Sequence, residues 1–547
     1  MNPGIQQPVA FATLVGQMIR DLRHAARSLR RSPMFTAAAI LTLALGVGVN
    51  TAIFSVVNAV MLQPLPFGDP DRLVRIYESN PERGWPEFSA SDANFIDWHA
   101  QATSWEALAA FDSGTASLTT SAGIEVVRNL RVTSDFLPAL GLRPALGRSF
   151  RPEETELGAD LGTTMISDGL WRRAFGADPG VIGTSVRIND VPHTIIGVLP
   201  AQFALDDAEL LRPRALDPNR SRSDHQLSVI GLLRSNVTLD EARAELAAVA
   251  AQLAASYPAD NEGWSVRLVT FDDWLLPRQV RDSLVVLQGA VLLVLLIACI
   301  NVANLLFARG VARQKETAIR VAMGASRMRI IWHGLMESAL LALAGAVTGV
   351  GFAAVAVRVL SVYAANVVPR VEEASIDWVV LSFALACALV SAGAFGLLPS
   401  VQAAREHGQT LHETSRGSGA RGRERIRAGL TVVEVSLSVA LLIGAGLLLR
   451  SFITLQQVDA GFDVDAVMTG RVLPASATDF DTPRERREFW DRVTAEVAVL
   501  PGITGVSTIS LVPLGRGNTS TEIAVPGAPV VPGVQPSGGW RVVAAGY

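Results

Sequence analysis

Five long apolar runs constrain this 547-residue chain more than any other feature of its sequence. A helix needs about 20 apolar residues to cross a bilayer whose hydrocarbon core is about 30 Å thick. Only 18% of the residues are charged, and the five runs contain a single acid, Glu434, and no basic residue. The sequence therefore predicts an integral membrane protein with five transmembrane helices, at residues 34–62, 283–308, 338–357, 378–404 and 428–449.

The first run could be a secretory signal peptide, because arginines precede it. Its apolar part is about twice as long as a signal peptide's, and a small-residue cleavage site does not follow it. We expect residues 34–62 to be an uncleaved transmembrane helix.

The basic residues predict which side of the membrane each connection occupies. Short loops rich in lysine and arginine stay in the cytoplasm. Five arginines lie between residues 20 and 31, six basic residues lie in 309–330 and six lie in 405–427, whereas 361–377 holds only Arg370. These counts predict a cytoplasmic N-terminus and place 63–282 and 451–547 outside.

Residues 63–282 have the pattern of a mixed α/β domain. Thr238-Leu239-Asp240-Glu241 is a capping box that predicts a helix to Ser256. Ser91 is a second cap, for a helix in which we expect Phe95, Trp98 and Trp105 to be buried. Short apolar or alternating segments predict strands at 73–77, 124–132, 185–188, 193–198 and 265–271.

An ATP-binding loop of the Walker type is excluded by composition. Such a loop needs a lysine directly after a glycine at the start of a helix. Among the 47 lysine and arginine residues the only lysine is Lys315, which follows Gln314. If nucleotide drives this protein, another chain must bind it.

The outer domain shows no pattern of catalytic or metal-binding residues. His99, His193 and His225 are scattered without ligand spacing. The acids between Glu153 and Glu156 lie in a polar loop, which favours a solvated surface, and Trp171 with its helical neighbour Phe175 favours a core position. We expect no enzyme activity and no cofactor.

Part of the sequence repeats. Residues 66–75 and 460–468 each follow an apolar run and place an aromatic residue and two aspartates before a short apolar segment. Residues 129–136 also resemble 540–547. The repeat predicts a second outer domain that stops about halfway, and hence a fragment of a longer two-copy protein. The alternative is a chance match between common turn patterns.

Several motifs resemble one known family in order along nearly the whole chain. These motifs lie at residues 31–36 with 45–58, 140–150, 171–176 and 195–200. They resemble those of the MacB-like, FtsX-type permeases of ABC transporters, and most of all those of the duplicated, orphan permeases of acidobacteria-like genomes.

The resemblance implies FtsX-type permease helices and a MacB-like periplasmic core domain, internally repeated, in a bacterial inner membrane. It implies transport or efflux driven by a cytoplasmic ABC ATPase, and leaves room for a periplasmic or outer-membrane partner; no nucleic acid is expected. A membrane-anchored periplasmic binding or sensory protein without an ATPase is the alternative. The expected segments are 1–33 (cytoplasmic), 34–62 (helix), 63–282 (periplasmic core), 283–404 (three-helix permease module), 405–427 (cytoplasmic linker), 428–450 (helix) and 451–547 (truncated second core).

The expected contact with the ATPase lies in residues 309–330, which resemble the family's cytoplasmic coupling segment. The spacing of its apolar residues predicts a short amphipathic helix that ends at a glycine. A basic anchor at the membrane surface without a partner is the alternative reading. The coupling residues that we predict are Lys315, Glu316, Ile319, Arg320, Met323 and Gly324.

Polar residues within the apolar runs or at their ends are a second candidate site. An acid within a membrane span marks a function or an interhelical partner. For the acids we favour structural pairing over a proton path, and Gly345 with Gly349 predicts close helix contact. The predicted intramembrane polar residues are Glu337, Glu434, Asn50 and Asn304.

Overall fold

The fold is given by a computed structural model in which the chain forms two compact units. The helical unit comprises the described residues of 1–64 and 276–462, and the α/β unit those of 65–275, with which 463–547 are grouped. The structure describes residues 22–120, 123–159, 161–203, 205–312, 327–364, 368, 370–409, 418–458, 467–472, 482–512, 520–522 and 537–544.

The helices that we number are α1 (Pro33–Val57), α2 (Asp92–Gln101), α3 (Phe136–Ala139), α4 (Asp168–Phe175), α5 (Leu239–Ser256), α6 (Pro258–Asn261), α7 (Phe271–Leu275), α8 (Arg278–Ala312), α9 (Arg327–Tyr363), α10 (Trp378–Gln409), α11 (Ser418–Gln456) and α12 (Pro483–Ala498). The strands are β1 (Leu73–Asn80), β2 (Trp85–Phe88), β3 (Ala90–Ser91), β4 (Trp105–Thr120), β5 (Gly123–Val132), β6 (Leu146–Gly147), β7 (Thr163–Ile166), β8 (Ser185–Ile188), β9 (Val191–Val198), β10 (Leu210–Pro213), β11 (His225–Leu233), β12 (Ser265–Thr270), β13 (Ser520–Glu522) and β14 (Ser537–Gly539).

Each of the five apolar runs forms a helix that is long and apolar enough to cross a membrane. The first continues from α1 through a π-helical turn, Asn58–Leu62, and the others lie in α8, α9, α10 and α11. Helices α1, α8, α9 and α10 share a buried apolar cluster that includes both cysteines, Cys299 and Cys387. The apolar part of α11 has no buried residue, and its side chains are exposed or half-buried. Such an outward apolar surface is what a lipid environment requires.

The α/β unit is built on one mixed sheet. Among the described residues twelve strands pair, and the main order is β12-β1-β11-β4-β5-β10-β7-β9-β6. Most pairs are antiparallel, while β5 with β10 and β7 with β9 run parallel. The sheet is covered by separate apolar clusters, because successive side chains of a strand point to opposite faces.

Local sequence signals account for several of these elements. The side chain of Thr238 accepts a hydrogen bond from the Glu241 N–H, and α5 begins there as predicted. The strands β8 and β9 meet at Asn189 and Asp190, which both have positive φ angles of 49° and 63°. Asparagine and aspartate tolerate that conformation better than other non-glycine residues, which explains the tight hairpin.

One helix is shorter than the sequence suggested. Ser91 caps α2 and both Phe95 and Trp98 are buried in it, but the helix ends at Gln101. Trp105 begins β4 instead and is buried against Gly231 of the neighbouring strand β11. Strands β2, β3, β4, β6, β7, β10 and β11 of this sheet were not predicted.

Candidate functional site in the helical unit

The predicted coupling residues Lys315, Glu316, Ile319, Arg320, Met323 and Gly324 lie outside the described residues. The chain enters that segment from α8 and leaves it into α9. The contacts between those two helices therefore define the part of the site that the structure describes.

The carboxylate of Glu337 is the centre of a polar cluster on α9. Its Oε1 atom lies 2.5 Å from Nη1 of Arg309 on α8, and the Oγ of Ser28 donates to the same oxygen at 3.0 Å. The side chains of Arg309 and Glu337 are each only 11% exposed. This contact is the one that structural pairing of Glu337 would produce.

The Arg309 guanidinium also binds the segment before α1. Its Nη2 donates to the Ser28 carbonyl oxygen at 2.8 Å, and its Cζ lies 4.5 Å from the centre of the Phe35 ring. An arginine can serve a carboxylate, a carbonyl and an aromatic face together because its guanidinium is planar and carries five donors. One side chain thus joins α1, α8 and α9.

A second polar contact lies in the middle of α1. Asn50 is fully buried, and its Nδ2 donates to the carbonyl oxygens of Gly46 at 2.8 Å and of Val291 on α8 at 2.7 Å. The Gln288 side chain contacts Asn50 Oδ1 at 3.4 Å. The amide is therefore satisfied across the α1–α8 interface, as a buried polar group must be.

Glycines bring α1 and α9 into direct backbone contact. A Cβ atom at Gly349 would lie 2.9 Å from the Ala44 carbonyl oxygen, and one at Gly48 would lie 2.8 Å from the Gly349 carbonyl oxygen. A Cβ at Gly345 would lie 2.6 Å from the Cβ of Leu43. Such distances leave no room for a side chain, so the predicted close contact at Gly345 and Gly349 is present.

A third polar cluster forms at the opposite end of α9 from Glu337. Asp377 caps α10 by accepting from the Val380 N–H at 2.9 Å, and Asn58 donates to its other oxygen at 2.8 Å. The Val380 N–H and then the Asn58 amide hold the pKa of Asp377 below its usual range. Arg370 adds a contact to the Gln63 carbonyl oxygen at 3.2 Å, so the end of α1 is joined to the α9–α10 connection.

The other two predicted polar residues, Glu434 and Asn304, form fewer contacts with side chains of other helices among the described residues. Glu434 on α11 is half-buried and forms no ion pair within the described part of the chain. Asn304 on α8 is half-buried, and its Oδ1 is buried without a hydrogen-bond partner among the described residues. Neither residue contacts the Arg309–Glu337 pair in the described part of the chain.

The polar residues of the α/β unit have structural partners. Glu154 forms two hydrogen bonds of 2.7 Å with Arg148 and accepts the Arg151 N–H, which lowers its pKa, with the Arg148 side chain as the largest favourable cause. His99 contacts Asp135 at 3.1 Å, and that hydrogen bond raises the histidine pKa. Within the described ranges no group of three or more histidines, cysteines or acids could hold a metal.

Sequence reasoning missed the partners rather than the acids. Arg309 and Asp377 were read as loop residues that set orientation, not as partners of specific side chains, and Ser28 was not singled out. Basic residues flanking a run of apolar residues are common, so their spacing alone gave no signal for which one would pair. A weak signal was the placement of Arg309 directly at the end of the second run.

Two family models match most of the region described above. The MacB-like periplasmic core domain matches residues 36–249, and the FtsX-like permease C-terminal domain matches residues 289–407. The first match includes α1 and most of the sheet, and the second includes α9 and α10 with the coupling segment. Together they cover more than half of the chain.

Curated relatives agree with the family models. A macrolide export ATP-binding/permease protein MacB of Neisseria gonorrhoeae is 24% identical over 304 residues, which are 53% of this chain and 45% of that protein. An uncharacterized ABC transporter permease, YknZ of Bacillus subtilis, is 26% identical over 281 residues, 50% of this chain and 66% of that one. The chain thus spans less than half the length of the macrolide-export relative.

A solved structure of the periplasmic region of MacB from Actinobacillus actinomycetemcomitans is also similar. It is 14% identical, and the match covers 39% of this chain and 94% of that one with a TM-score of 0.28. The family assignment rests instead on the two family models, on their order along the chain and on the five apolar helices. The chain belongs to the MacB-like, FtsX-type permeases of ABC transporters.

Proposed function

We propose that this chain is the membrane permease subunit of an ABC-type transport or efflux system. In this proposal it transmits ATP-driven motion from a separate cytoplasmic ATPase to its periplasmic domain. The observation that carries the proposal is the joining of α1, α8 and α9 by the Ser28–Arg309–Glu337 cluster, beside the segment that resembles the family's coupling segment.

The order of the helices along the chain explains how this cluster could transmit motion. The coupling segment connects α8 to α9, so a force on it acts on both helices. The chain runs from α1 into the α/β unit and returns from that unit into α8. Motion of α1 and α8 is therefore passed to the α/β unit through two covalent connections, and the Asn50–Val291 hydrogen bond keeps those two helices in register.

The proposed location is a bacterial inner membrane with a cytoplasmic N-terminus. The arginines at 20–31 and the basic loop at 309–330 support this orientation. It places the Arg309–Glu337 pair near the cytoplasmic face and the Asp377 cluster near the periplasmic face. An acid–base pair close to an interface avoids the cost of about 2.5–3.5 kcal/mol for a charge at the bilayer centre.

We extend the proposal to the segment boundaries expected above and to a second copy that begins near residue 425. Support comes from α12, which follows α11 much as α2 follows α1. Each is an α-helix capped by a hydroxyl side chain, Ser91 or Thr482, and each bears two aromatic residues, which are Phe489 and Trp490 in α12.

The test is recovery of an ABC ATPase with the native chain. The chain would be purified in mild detergent from its own host after light crosslinking, beside a variant carrying Ile319→Asp and Met323→Asp. Val362→Asp with Tyr363→Asp is the matched control, since both residues are exposed at the far end of α9. We expect the native and control chains to retain an ATPase that the coupling variant loses.

Failure to recover an ATPase with any of the three chains would reject the proposal. A periplasmic ligand bound by the same preparations would then favour the anchored binding or sensory protein. Equal recovery with all three chains would keep an ATPase partner but move its contact away from residues 309–330.

A further inference from the structure

A row of charged residues crosses the centre of the sheet in the α/β unit. The strand register places Asp112 of β4 beside Arg131 of β5, and Arg131 beside Arg212 of β10. Residues directly opposed in paired strands share a face of the sheet. Arg214, two residues after Arg212 and therefore on the same face, completes the basic side of the row.

The described residues supply fewer acids than arginines to this row. Asp112 contacts Arg131 through one oxygen at 2.7 Å and Arg214 through the other at 3.3 Å. Arg214 is also paired with Asp92, at 3.1 Å. Asp112 and Asp92 thus form ion pairs with Arg131 and Arg214, whereas Arg212 forms none among the described residues and interacts with Asp112 only through space.

Arg212 is half-buried and makes no ion pair or hydrogen bond among the described residues, and its Nε atom is fully buried without a partner. Burial, with a smaller contribution from the like charge of Arg131, lowers its pKa. An arginine nevertheless stays charged at neutral pH. A partly desolvated, unpaired guanidinium destabilises a fold, so its presence here requires another explanation.

Arg212 lines an open cleft of about 500 Å³. The cleft is also lined by the hydroxyl side chains of Ser185 and Thr194, by Gly162 and by the imidazole of His193. His193 is only 2% exposed and its Nδ1 contacts the Val191 carbonyl oxygen at 2.9 Å, so the ring is fixed in place. An open cleft of this size can admit a small anion, and a few convergent polar groups can fix the orientation of a small ligand.

We propose that this cleft binds a soluble ligand through a carboxylate or phosphate group that pairs with Arg212. A planar guanidinium presents two parallel donors, which match two oxygens of either anion. Hydroxyl groups of Ser185 and Thr194 are suited to the remaining oxygens. This inference concerns the α/β unit alone and does not depend on an ATPase partner.

Nearby charged groups define the control. Arg187 of β8 is 54% exposed and is paired with Asp190 at 2.6 Å, so its charge is already compensated. Arg187→Gln removes a positive charge from β8, the strand whose Ser185 also lines the cleft, but leaves Arg212 in place. A general electrostatic attraction would respond equally to both substitutions, whereas a specific cleft would respond only to Arg212→Gln.

The experiment is titration of the full chain in detergent at low salt with inorganic phosphate, with succinate and, separately, with phosphatidylglycerol vesicles. We expect saturable binding of phosphate or succinate that is at least tenfold weaker in Arg212→Gln and unchanged in Arg187→Gln. Bound anion should also raise the unfolding temperature of the native chain but not of Arg212→Gln. Binding to the vesicles alone, lost in Arg212→Gln, would assign the anion to a lipid headgroup and overturn the soluble ligand.

Removing Arg212 should not lower the unfolding temperature, because its charge is uncompensated. If Arg212→Gln nevertheless fails to fold, Arg212→Lys keeps the charge but loses the planar fork, and it must weaken succinate or phosphate binding. Absence of saturable binding to all three probes, or equal loss in Arg187→Gln, would overturn the proposal.

Discussion

The ion pair between Arg309 and Glu337 gives the sharpest quantitative prediction. Substituting Glu337→Leu leaves the guanidinium of Arg309 only 11% exposed and without its carboxylate. Removing one partner of a buried pair costs about 3–5 kcal/mol, whereas replacing both by apolar residues is often close to neutral. We expect Glu337→Leu to destabilise the helical unit by about 3 kcal/mol and Arg309→Met with Glu337→Leu by about 1 kcal/mol or less.

Other contacts limit the size of this effect. Arg309 keeps the Ser28 carbonyl oxygen and the Phe35 ring when Glu337 is removed, which reduces its loss. Interhelical hydrogen bonds in membranes contribute only about 0.6 kcal/mol on average. A coupling energy above about 1.5 kcal/mol in the double-mutant cycle would therefore require the charge and not the hydrogen bond alone.

The assay is reversible unfolding in mixed micelles for the native chain, both single variants and the double variant. Glu373→Gln is the matched control, because Glu373 pairs with Arg370 at 2.8 Å but is 39% exposed. An exposed pair contributes about 0–1 kcal/mol, so this variant should be nearly native. Single-variant losses that simply add in the double variant would refute the pairing.

Three further predictions concern other contacts. Gly349→Leu should destabilise the helical unit by about 1–3 kcal/mol, because its Cβ would meet the Ala44 carbonyl oxygen. Thermal unfolding would compare it with Gly351→Leu, where no atom lies within 4 Å of the added Cβ, and equal losses would contradict the close contact. Gly231→Ala should disrupt the α/β unit, because its Cβ would overlap the Trp105 ring, while Gly114→Ala meets nothing and should change the circular dichroism melt little. Glu154→Gln should cost about 1 kcal/mol at neutral pH, an amount discounted because Arg148 is 40% exposed. Since the folded pKa of Glu154 is lowered, its contribution is present above the unfolded value of about 4.3 and is lost as pH falls through the folded value. Melts from pH 7 to pH 3 should show the difference shrinking, and a constant difference, or one shared by exposed Glu153→Gln, would contradict this assignment.

The helices were the part of the fold most visible in the sequence. Long apolar runs specify a helix because a backbone in lipid must satisfy its own hydrogen bonds. Thr238 was equally informative, since a capping box depends on a few adjacent residues. Local chemistry of this kind does not need knowledge of the rest of the chain.

The sheet was only partly visible, because its pairing joins distant segments. Strand β4 includes Gly114 and several small residues, which weaken the alternation that marks a strand. Trp105 is spaced as if it continued α2, yet the strand pairing with β11 determines its position. Tertiary contacts thus overrode the local pattern.

The candidate sites likewise divide into features that local sequence reveals and features that only the tertiary fold reveals. Glu337 was visible because an acid stands out beside an apolar run, whereas its partners Ser28 and Arg309 come from separate segments. Arg212 gave no sequence signal, since only the strand register shows that two acids are shared among three arginines. Charge balance within a site is a property of the fold and not of spacing along the chain.

The central claim, that a separate ATPase acts on this chain through residues 309–330, is tested most directly by site-specific photocrosslinking in living cells. A photoreactive residue would replace Ile319, and Tyr363, which is 81% exposed at the other end of α9, would be the control position. The account predicts an adduct between position 319 and a protein that carries a Walker motif, and none from position 363. No adduct at 319, or the same adduct from both positions, would contradict it.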